Sequence, residues 1–541
     1  MPGPAGSGKG SSAMTGRGVR HEGSPRGGGA GLDLIHGRGL GSAEDSSDAR
    51  ERLDEVFAAQ RAAVERDPYP SAQQRVEWLS RVRPMIAGHR DAVLDALDAD
   101  FGGHSRELAE VTELMGPLNR AAFAIAHVQG WMKPSPRPVD RVTLGRSRAY
   151  VRYEPKGVVG NMVSWNFPFD IGLGPTIDAL AAGNRVVVKP SELAPACGQV
   201  LADMVADSFA EDEVAVVTGD LELSRYFASL PWDHLVFTGS AAVGREVMRA
   251  AAANLVPVTL ELGGKCPVVV GADKVTDLNT ITSVARIKVI KHGQMCISDD
   301  YCLVPRPALD SFVGQVVNFW RAHFAADGGA GSSCGIITDR HVGRLSALVA
   351  DARERGAAVI QVGPDPEPGS RRMPLYVVVD PPADCALMAE EIFGPILPIL
   401  PYDSLDDVVA QVGRGGHPLA LYVFTGDPSF VAELARRTRS GGVAVNSVAG
   451  HAVLPSLGFG GVGASGMGRH HGQDGFRELS NPRGYFALGS GSVTQAVTPP
   501  YGPETRALLD IADGTTWQQL RFGLPSRLRN RLPERLPLPR H

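Results

Sequence analysis

Residues 148–190 have the sequence RAYVRYEPKGVVGNMVSWNFPFDIGLGPTIDALAAGNRVVVKP, and β-branched runs alternate with helix-like runs from there to Gly264. Short strands separated by helices of roughly ten to fifteen residues are typical of a parallel sheet with crossover helices. Strands are predicted at residues 148–154, 158–165, 184–190, 213–219, 233–239 and 257–262, and helices at 176–183, 194–209, 221–230 and 241–254. The stretch therefore predicts a doubly wound α/β layout of the kind that holds nucleotides.

The regions outside this stretch differ from it in composition. A block with apolar residues at helical spacing runs from Asp48 to about residue 134. A second α/β alternation begins with CPVVVGA at residues 266–272 and runs to about Ser447. Glycine-rich residues 1–45 predict a disordered arm. The C-terminal tail, residues 491–541, holds one predicted helix and then a run rich in proline and arginine, which predicts either a solvated segment or a surface for anionic partners.

The overall composition excludes several classes of protein. The chain has 43% hydrophobic and 21% charged residues, as ordinary globular proteins do. A net charge of -5 over 541 residues argues against nucleic-acid binding. No run approaches the roughly 18 consecutive apolar residues of a membrane span. The six cysteines include no CxxC pair, and the N-terminal arm lacks a secretory apolar region, so we expect a reducing, cytoplasmic location.

Three motifs resemble known sites without the context that those sites need. GPAGSGKGSS fails as a phosphate-binding loop because Gly10 replaces the Ser or Thr that binds magnesium, and no strand precedes it. The run from Gly458 to Gly466 matches GxGxxG but lies among turns rather than between a strand and a helix. His470 and His471 have no further ligand at metal spacing, so no metal site is expected.

Four segments carry residues suited to nucleophilic catalysis beside a bound anion. Cys296 follows a helix in a glycine-containing turn, although a lone cysteine is more often a buried small residue. Glu261 lies in an apolar strand, where an unpaired charge needs a partner or a function. Asn166 stands where a strand ends, a position that turn-forming asparagines also occupy. FTGSAAVG (residues 237–244) ends a strand and begins a helix, whose N–H groups suit a pyrophosphate.

In order and spacing, these segments resemble the aldehyde dehydrogenase superfamily over most of residues 60–490. The matching motifs are SWNFPFDIGLGPTIDALAAGNRVVVKPSE, FTGSAAVG, LELGGKCP, GQMC and EEIFGPILPI. The C-terminal run LGFGGVGASGMGRHHGQDGFRELSNPRGYF, with the PPYG after it, is similar to the class 3 branch and within it to bacterial coniferyl aldehyde dehydrogenases. The resemblance implies an α/β protein of the aldehyde dehydrogenase fold, with a Rossmann-like cofactor domain, an α/β catalytic domain and a small β element for bridging and oligomerisation.

The resemblance further implies NAD(P)-dependent oxidation of an aldehyde, either aromatic or apolar and of medium length, to the carboxylate. Cys296 would add to the aldehyde carbon and form a thiohemiacetal. The Asn166 amide and the Cys296 backbone N–H would hold its oxyanion. Loss of hydride to the cofactor would leave a thioester, which Glu261 would hydrolyse by activating a water.

The resemblance also implies the cofactor contacts and the domain boundaries. The implied cofactor-binding residues are Trp165, Lys189, Glu192, Gly239, Ser240, Val243, Gly263, Glu391 and Phe393. The implied cofactor is NAD, with NADP as a second option, because the Glu192 carboxylate would repel a 2′-phosphate. The implied division is a cofactor domain at residues 46–134 and 154–262, bridging or oligomerisation segments at 135–153 and 448–490, and a catalytic domain at 263–447. A homodimer is expected from the class 3 resemblance.

The sequence departs from the family pattern at four places. Lys291 stands where Asn usually precedes the nucleophile, and we expect its flexible side chain to point to solvent rather than to lower the pKa of the thiol. Ser164 replaces a proline before the Trp-Asn pair, His470 replaces a tyrosine, and Gly458 replaces a proline. These changes bear on turnover and substrate range rather than on the reaction.

Three other functions compete with this interpretation. An acylating enzyme would pass the acyl group to coenzyme A, but such enzymes usually lack a water-activating carboxylate at the position of Glu261. A catalytically silent scaffold or stress protein would not need Cys296, Glu261 and Asn166 together. A semialdehyde dehydrogenase would need a cation near the substrate, and Lys291 is the candidate.

Overall fold

The computed structural model describes residues 43–140, 144–367, 369–492 and 497–512. They belong to one compact unit, which begins at Gly41. Most of the arm predicted at residues 1–45 lies outside the described residues, as does the predicted tail from residue 513 onward.

The strands of the described part are short, as a sheet of crossover units requires. They are β1 (Ser135–Arg137), β2 (Arg148–Pro155), β3 (Val158–Met162), β4 (Arg185–Lys189), β5 (Val214–Val216), β6 (His234–Gly239), β7 (Val258–Leu262), β8 (Pro267–Val270), β9 (Tyr301–Pro305), β10 (Ala358–Val362), β11 (Leu375–Val379), β12 (Ile396–Tyr402), β13 (Ala420–Phe424), β14 (Gly442–Val445), β15 (Gly466–Met467) and β16 (Ser480–Ala487).

Helices connect and cover these strands. They are α1 (Ala43–Arg66), α2 (Ala72–Phe101), α3 (Arg106–Ala109), α4 (Met115–Trp131), α5 (Pro168–Ala182), α6 (Pro195–Ala206), α7 (Leu221–Ser229), α8 (Ala241–Ala252), α9 (Leu278–Ile287), α10 (Leu309–Phe324), α11 (Asp339–Glu354), α12 (Ala386–Ala389), α13 (Leu405–Arg414), α14 (Pro428–Arg437), α15 (Gly472–Glu478) and α16 (Pro503–Ala512). A π-helical segment, Glu110–Leu114, joins α3 to α4. Among the described residues, no helix combines the length and the apolar character needed to cross a membrane.

The first α/β sheet has six strands in the order β15-β7-β6-β3-β4-β5. All pairs from β7 to β5 are parallel, and only the short β15 runs antiparallel. The chain winds from β3 to β5 in one direction and then from β6 to β7 in the other, so the switch point lies between β3 and β6. The doubly wound prediction is confirmed, and the carboxyl ends of β3 and β6 form the crevice where such sheets bind ligands.

The second α/β sheet has seven strands in the order β10-β11-β12-β9-β8-β13-β14. Its pairs are parallel except for the antiparallel edge pair of β10 and β11. Its central strands β8, β9 and β12 are almost entirely buried, which matches their unbroken β-branched and apolar sequences.

A third sheet is small and wholly antiparallel, with the order β1-β2-β16. The predicted strand at residues 148–154 belongs to this sheet rather than to the six-stranded one. The sheet joins the two segments that the sequence assigned to bridging, since β16 pairs with β2 along all eight of its residues.

Helix α5 is longer than the sequence predicted, because Pro175 lies inside it. A proline removes the N–H that would bond to the carbonyl four residues earlier, here that of Ile171. The Asn161 side chain reaches from β3 and donates to the carbonyls of Ile171 (3.4 Å) and Gly172 (3.1 Å). The Thr176 hydroxyl donates to the Gly172 carbonyl as well, at 2.7 Å. Side chains thus replace the missing backbone bond, and the helix continues through the proline.

Helix α1 also begins earlier than expected, at Ala43 instead of Asp48. The segment between Ala43 and Asp48 has no large apolar residue, so hydrophobic spacing does not reveal it.

Candidate active site

The residues singled out in the sequence gather where the strands of the six-stranded sheet end. Asn166 follows β3, Ser240 follows β6, and Glu261 is the fourth of the five residues of β7. Because parallel strands end at the same edge of a sheet, these three positions lie at one crevice. The turn that carries Cys296 joins them through a direct hydrogen bond to Asn166.

That hydrogen bond fixes the Asn166 side chain, which is 3% exposed. Asn166 Nδ2 donates to the carbonyl oxygen of Gln294 at 3.1 Å, two residues before Cys296. The Ser164 hydroxyl donates to Asn166 Oδ1 at 2.7 Å. Ser164, one of the departures from the family pattern, therefore sets which end of the amide faces the nucleophile turn.

Cys296 is half-buried, whereas the other five cysteines are buried. Burial raises the pKa of its thiol, and the nearby Glu391 and Glu261 carboxylates raise it further. The thiol is therefore protonated at neutral pH and must lose its proton before it can attack. Cys302 lies inside β9, as its sequence context predicted.

Glu261 is 4% exposed and points from β7 into the interior. Within the described part of the chain, neither of its carboxylate oxygens has a hydrogen-bond partner. Its nearest basic group is His470, whose Nε2 lies 4.0 Å from Glu261 Oε1. Burial lowers the pKa of His470 to about 3, so its ring is neutral at neutral pH. Burial raises the pKa of Glu261 well above its ordinary value. The carboxylate therefore binds a proton more strongly, which suits a general base.

Lys291 does not point to solvent, so that expectation is wrong. Its side chain is fully buried, and its Nζ lies 2.6 Å from Glu113 Oε1. The same ammonium lies over the rings of Phe101 and Phe167, at 4.6 and 5.1 Å from their centroids. A buried carboxylate and two aromatic faces replace the water that would otherwise solvate the charge.

Glu113 links this ion pair to the segment that carries Asn166. Its Oε2 accepts hydrogen bonds from the backbone N–H groups of Phe169 and Asp170, both at 3.1 Å. These are N–H groups in the first turn of α5, where a helix has no backbone acceptors of its own. The Glu113–Lys291 pair therefore ties the start of α5 to the nucleophile turn.

The nucleophile turn has an unusual backbone. Lys291, His292 and Gly293 have positive φ values of 49°, 54° and 74°, which side chains beyond glycine rarely adopt. His292 Nε2 and the carbonyl oxygen of Met373 lie 2.7 Å apart, and Gln294 Nε2 donates to the carbonyl of Lys291 at 3.0 Å. Buried side chains on both sides thus hold the strained turn in place.

The turn between β6 and α8 presents backbone N–H groups to the crevice. Ser240 is the N-cap of α8, and its hydroxyl accepts the N–H of Val243 at 3.3 Å. Gly239 ends β6 directly before it. The remaining N–H groups of the first turn lie at the positive end of the helix dipole, which attracts an anion.

Lys189 and Glu192 lie at the carboxyl end of β4. Lys189 is 2% exposed, and its Nζ donates to the Gly219 carbonyl at 2.9 Å and to Glu192 Oε2 at 3.4 Å. Burial lowers the pKa of this lysine, while Glu192 remains half-exposed. An ammonium beside an accessible carboxylate can bind the hydroxyls of a ribose.

Glu391 and Phe393 lie across the crevice, after α12. The Glu391 carboxylate packs so closely on Gly263 that a side chain there would collide with it. Burial raises the pKa of Glu391 to about 8, and its Oε1 has no hydrogen-bond partner in the described chain. The Phe393 ring packs edge-on against Trp165 at 5.3 Å. The segment after α12 thus carries both a carboxylate oxygen without a partner in the described chain and one side of an aromatic wall.

Several of the expected cofactor residues carry groups of the kind that a dinucleotide needs. Lys189 offers a buried ammonium and the first turn of α8 offers backbone N–H groups. Glu391 offers a carboxylate oxygen that has no hydrogen-bond partner among the described residues, and Phe393 and Trp165 form an aromatic wall. These are the groups that a ribose, a pyrophosphate and a second ribose with a flat ring would need.

The sequence did not reveal two charged residues that support the site. Lys265 forms a buried ion pair with Asp300, and its Nζ also donates to the carbonyls of Leu387 and Glu390. Asp300 Oδ1 accepts the N–H of Ile392 at 2.8 Å. The pair therefore fixes the segment that carries Glu391. The sequence did contain one indication of this pair. Lys265 follows two glycines and directly precedes the apolar run of β8, where an unpaired charge is costly.

Known proteins of one family match this chain over most of its length. The model of the aldehyde dehydrogenase family matches residues 40–484. A coniferyl aldehyde dehydrogenase of Pseudomonas sp. strain HR199 is 37% identical over 457 residues, which cover 83% of this chain and 94% of the relative. A mouse family 3 aldehyde dehydrogenase matches as well, at 34% identity over 82% of this chain.

Solved structures share the fold. The substrate-bound Staphylococcus aureus AldH superposes with a TM-score of 0.79 at 30% identity, over 85% of this chain and 99% of that one. The Mycobacterium tuberculosis aldehyde dehydrogenase complexed with NAD+ superposes with a TM-score of 0.73 at 29% identity, over 82% and 90% of the two chains. The chain belongs to the aldehyde dehydrogenase family, similar to its coniferyl aldehyde and class 3 members, and is an NAD(P)-dependent oxidoreductase that acts on aldehydes.

Proposed function

We propose that this enzyme oxidises an apolar aldehyde, aromatic or of medium length, with Cys296 as nucleophile and NAD as the preferred cofactor. The observation that carries the site assignment is the hydrogen bond from Asn166 to the Gln294 carbonyl, which holds an amide donor at the nucleophile turn. The Cys296 sulfur adds to the aldehyde carbon, and the Asn166 amide with the Cys296 backbone N–H binds the oxyanion. Each donor contributes on the order of 3 kcal/mol to this step.

Glu261 performs the second half of the reaction. The bound dinucleotide supplies the acceptor for the hydride, after which the acyl group remains on Cys296 as a thioester. Glu261 takes a proton from a water molecule while the oxygen of that water bonds to the acyl carbon. Among the described residues neither Glu261 oxygen has a hydrogen-bond partner, and this and the raised pKa of Glu261 support the role.

The dinucleotide would lie along the crevice of the six-stranded sheet. Lys189 and Glu192 would bind the adenosine ribose, the turn of Gly239, Ser240 and Val243 would receive the pyrophosphate, and Glu391 would bind the second ribose. Phe393, Trp165 and Gly263 would form the wall around the flat ring. Glu192 would favour NAD, because a 2′-phosphate would meet its negative charge.

The state of Lys291 supports an apolar substrate. A short semialdehyde needs a cation for its carboxylate, but the Lys291 ammonium is fully buried and paired with Glu113. The relative from Pseudomonas sp. strain HR199 is named for coniferyl aldehyde, which carries an aryl propenal. An apolar funnel gains about 0.8 kcal/mol for each buried methylene, so longer apolar aldehydes should react better.

The assembly and location extend this proposal. We infer a homodimer, because edge strand β14 and strand β16 expose large apolar side chains: Val443, Val445 and Phe486. Six cysteines without a disulfide fit the reducing cytoplasm.

The test is a pair of cysteine variants assayed for NADH production. Cys296→Ala should abolish oxidation while leaving NAD binding intact, and Cys302→Ala should remain active. Residual turnover of Cys296→Ala within about tenfold of wild type would refute the nucleophile.

The substrate class is tested by an aldehyde panel scored by kcat/KM. Propanal, hexanal and an aryl propenal should react with rising efficiency in that order. Succinic semialdehyde should be poor, and a tenfold preference for it over hexanal would overturn the apolar assignment.

A further inference from the structure

A connected line of polar side chains crosses one face of the six-stranded sheet. His234 on β6 and Thr259 on β7 are each 1% exposed, although most side chains in this region are apolar. Alternate residues of a strand point to the same face, so Thr259 and Glu261 share one side of β7. Buried polar side chains are costly on an apolar face unless they are hydrogen-bonded, and these side chains are.

The hydrogen bonds run in one direction. The Lys156 ammonium donates to His234 Nδ1 at 2.8 Å, which leaves the ring proton on Nε2. His234 Nε2 then donates to Thr259 Oγ1 at 2.8 Å, and the Thr259 hydroxyl donates to Glu478 Oε1 at 3.1 Å. The line therefore ends on the Glu478 carboxylate and holds it in a fixed position.

Glu478 lies beside Thr259, two residues along β7 from Glu261. A side chain at Gly468 would come within 2.8 Å of both Glu478 Oε1 and Thr259 Oγ1, so the carboxylate fills the space that this glycine leaves. Gly466, two residues before Gly468, pairs directly with Glu261 across β15 and β7. The negative charge of Glu478 also helps to raise the pKa of Glu261. The two carboxylates are therefore neighbours on one face of the sheet.

Glu478 also borders a surface cavity of about 490 Å³. Lys156, Asp233 and Arg477 are among its other lining residues, so charged side chains border the cavity, which is open to solvent. It lies where β3 and β7 begin, at the edge of the sheet opposite to the active-site crevice. Glu478 thus stands between Glu261 and solvent on the far side of the sheet.

We propose that Glu478 is a relay residue that carries the proton of Glu261 to this cavity. The inference rests on the proposed role of Glu261. In thioester hydrolysis, the water oxygen bonds to the acyl carbon and Glu261 takes one proton of that water. The C–S bond then breaks, and its electron pair stays on Cys296 as the thiolate.

Glu261 must lose the proton that it has taken before it can act again. The proton passes through intervening water to Glu478 and then to water in the cavity, while Thr259, His234 and Lys156 keep Glu478 in place. Protons therefore leave on the side of the sheet that neither the aldehyde nor the dinucleotide uses.

The decisive variant is Glu478→Gln, which keeps the shape and the acceptor for Thr259 but cannot carry a proton. We expect a burst of NADH of wild-type size, followed by steady turnover slowed on the order of a hundredfold. Formate added at millimolar concentration should enter the cavity and restore part of the turnover. The matched control is Glu354→Gln, an exposed glutamate that ends α11 as Glu478 ends α15, and it should behave as wild type.

Two outcomes with Glu478→Gln would overturn the relay. One is wild-type steady turnover in Glu478→Gln, and the other is equal loss of burst and turnover without rescue by formate. Glu478→Asp, which restores a carboxylate, should recover turnover, and failure to do so in an enzyme with a full burst would also count against the relay. If Glu261→Gln lacks the pattern of fast burst and slow turnover, the role of Glu261 itself is wrong. If Glu261→Gln shows a fast burst followed by slow turnover but Glu478→Gln does not, the relay alone is wrong.

Discussion

Glu113 and Glu261 are both buried carboxylates near the nucleophile turn, yet their surroundings are opposite. Glu113 is bound by the Lys291 ammonium at 2.6 Å and by two backbone N–H groups of α5. Glu261 has no hydrogen-bond partner in the described chain, and the neutral His470 ring is its nearest basic group. Burial acts to raise the pKa of both groups. At Glu113 the directly bonded Lys291 ammonium opposes the rise, whereas at Glu261 the charge of Arg469 opposes it without a direct ion pair among the described residues.

The difference separates a structural charge from a reactive one. A carboxylate with all its partners stabilises the fold only while those partners remain. A carboxylate without partners destabilises the fold, and its proton affinity is available for chemistry. The same interior thus holds two glutamates whose replacement should affect different measurements.

The largest effect is expected for Glu261→Gln. Turnover should fall on the order of a thousandfold, because the base that activates water is lost, while the NADH burst of about one equivalent per site should persist. Stability should not fall, since the variant removes a buried charge without breaking a hydrogen bond. Rapid-mixing absorbance and thermal unfolding measure the two properties. Loss of the burst would mean that Glu261 acts before hydride transfer, on the thiol.

Lys291→Met should affect stability instead. It leaves the Glu113 carboxylate buried without its cation, which should lower the free energy of unfolding by about 3 to 5 kcal/mol in a denaturant titration. The control Lys274→Met removes a half-exposed lysine and should cost less than about 1 kcal/mol. The double variant Glu113→Gln with Lys291→Met should lose less than the sum of the single variants, and additivity would refute the pair.

The pH dependence of turnover tests the reactive carboxylate more finely. A raised pKa means that Glu261 becomes a carboxylate only at a higher pH than an ordinary glutamate. Steady turnover should therefore rise with pH across the acidic and neutral range, by up to about tenfold per unit, and fall as Glu261 takes up its proton. The burst phase should not share this profile if it depends on Cys296 alone. A pH profile with a midpoint at the ordinary glutamate value would contradict the assignment.

The smallest effect is expected at a third carboxylate, the half-exposed Glu192. Solvent screens its charge, so Glu192→Gln should raise the kcat/KM for NADP relative to NAD only severalfold, about fivefold. Glu246→Gln, an exposed glutamate of α8, is the matched control and should leave the ratio unchanged. If the wild type has equal kcat/KM for NAD and NADP and Glu192→Gln does not change this ratio, Glu192 does not determine the cofactor preference.

Local signals in the sequence were enough to predict much of the fold. Alternating β-branched runs located β3, β4, β5, β6 and β7, because parallel buried strands need such residues. The turn after β6 and the turn that carries Cys296 could be predicted as well, because each contains glycine at the end of a strand or a helix. What the sequence could not reveal was a partner far away in the chain.

Lys291 is the clearest case. Its partner Glu113 is 178 residues away, so nothing near Lys291 distinguishes a buried ion pair from a solvated side chain. Ser164 was noted as a departure, but its hydrogen bond to Asn166 depends on side-chain orientation. The polar line from Lys156 to Glu478 joins a loop, two strands and a helix, and no spacing rule connects them.

The pairing of Asn161 with Pro175 has a consequence for how the family varies. A polar side chain in the middle of a fully buried strand is there to supply the hydrogen bond that the proline removes from α5. Relatives that keep a proline at this place should keep a donor on the neighbouring strand. Those that replace the proline are free to place an aliphatic residue there. An aligned set of relatives should therefore show the two positions changing together, although they are fourteen residues apart and lie on different elements.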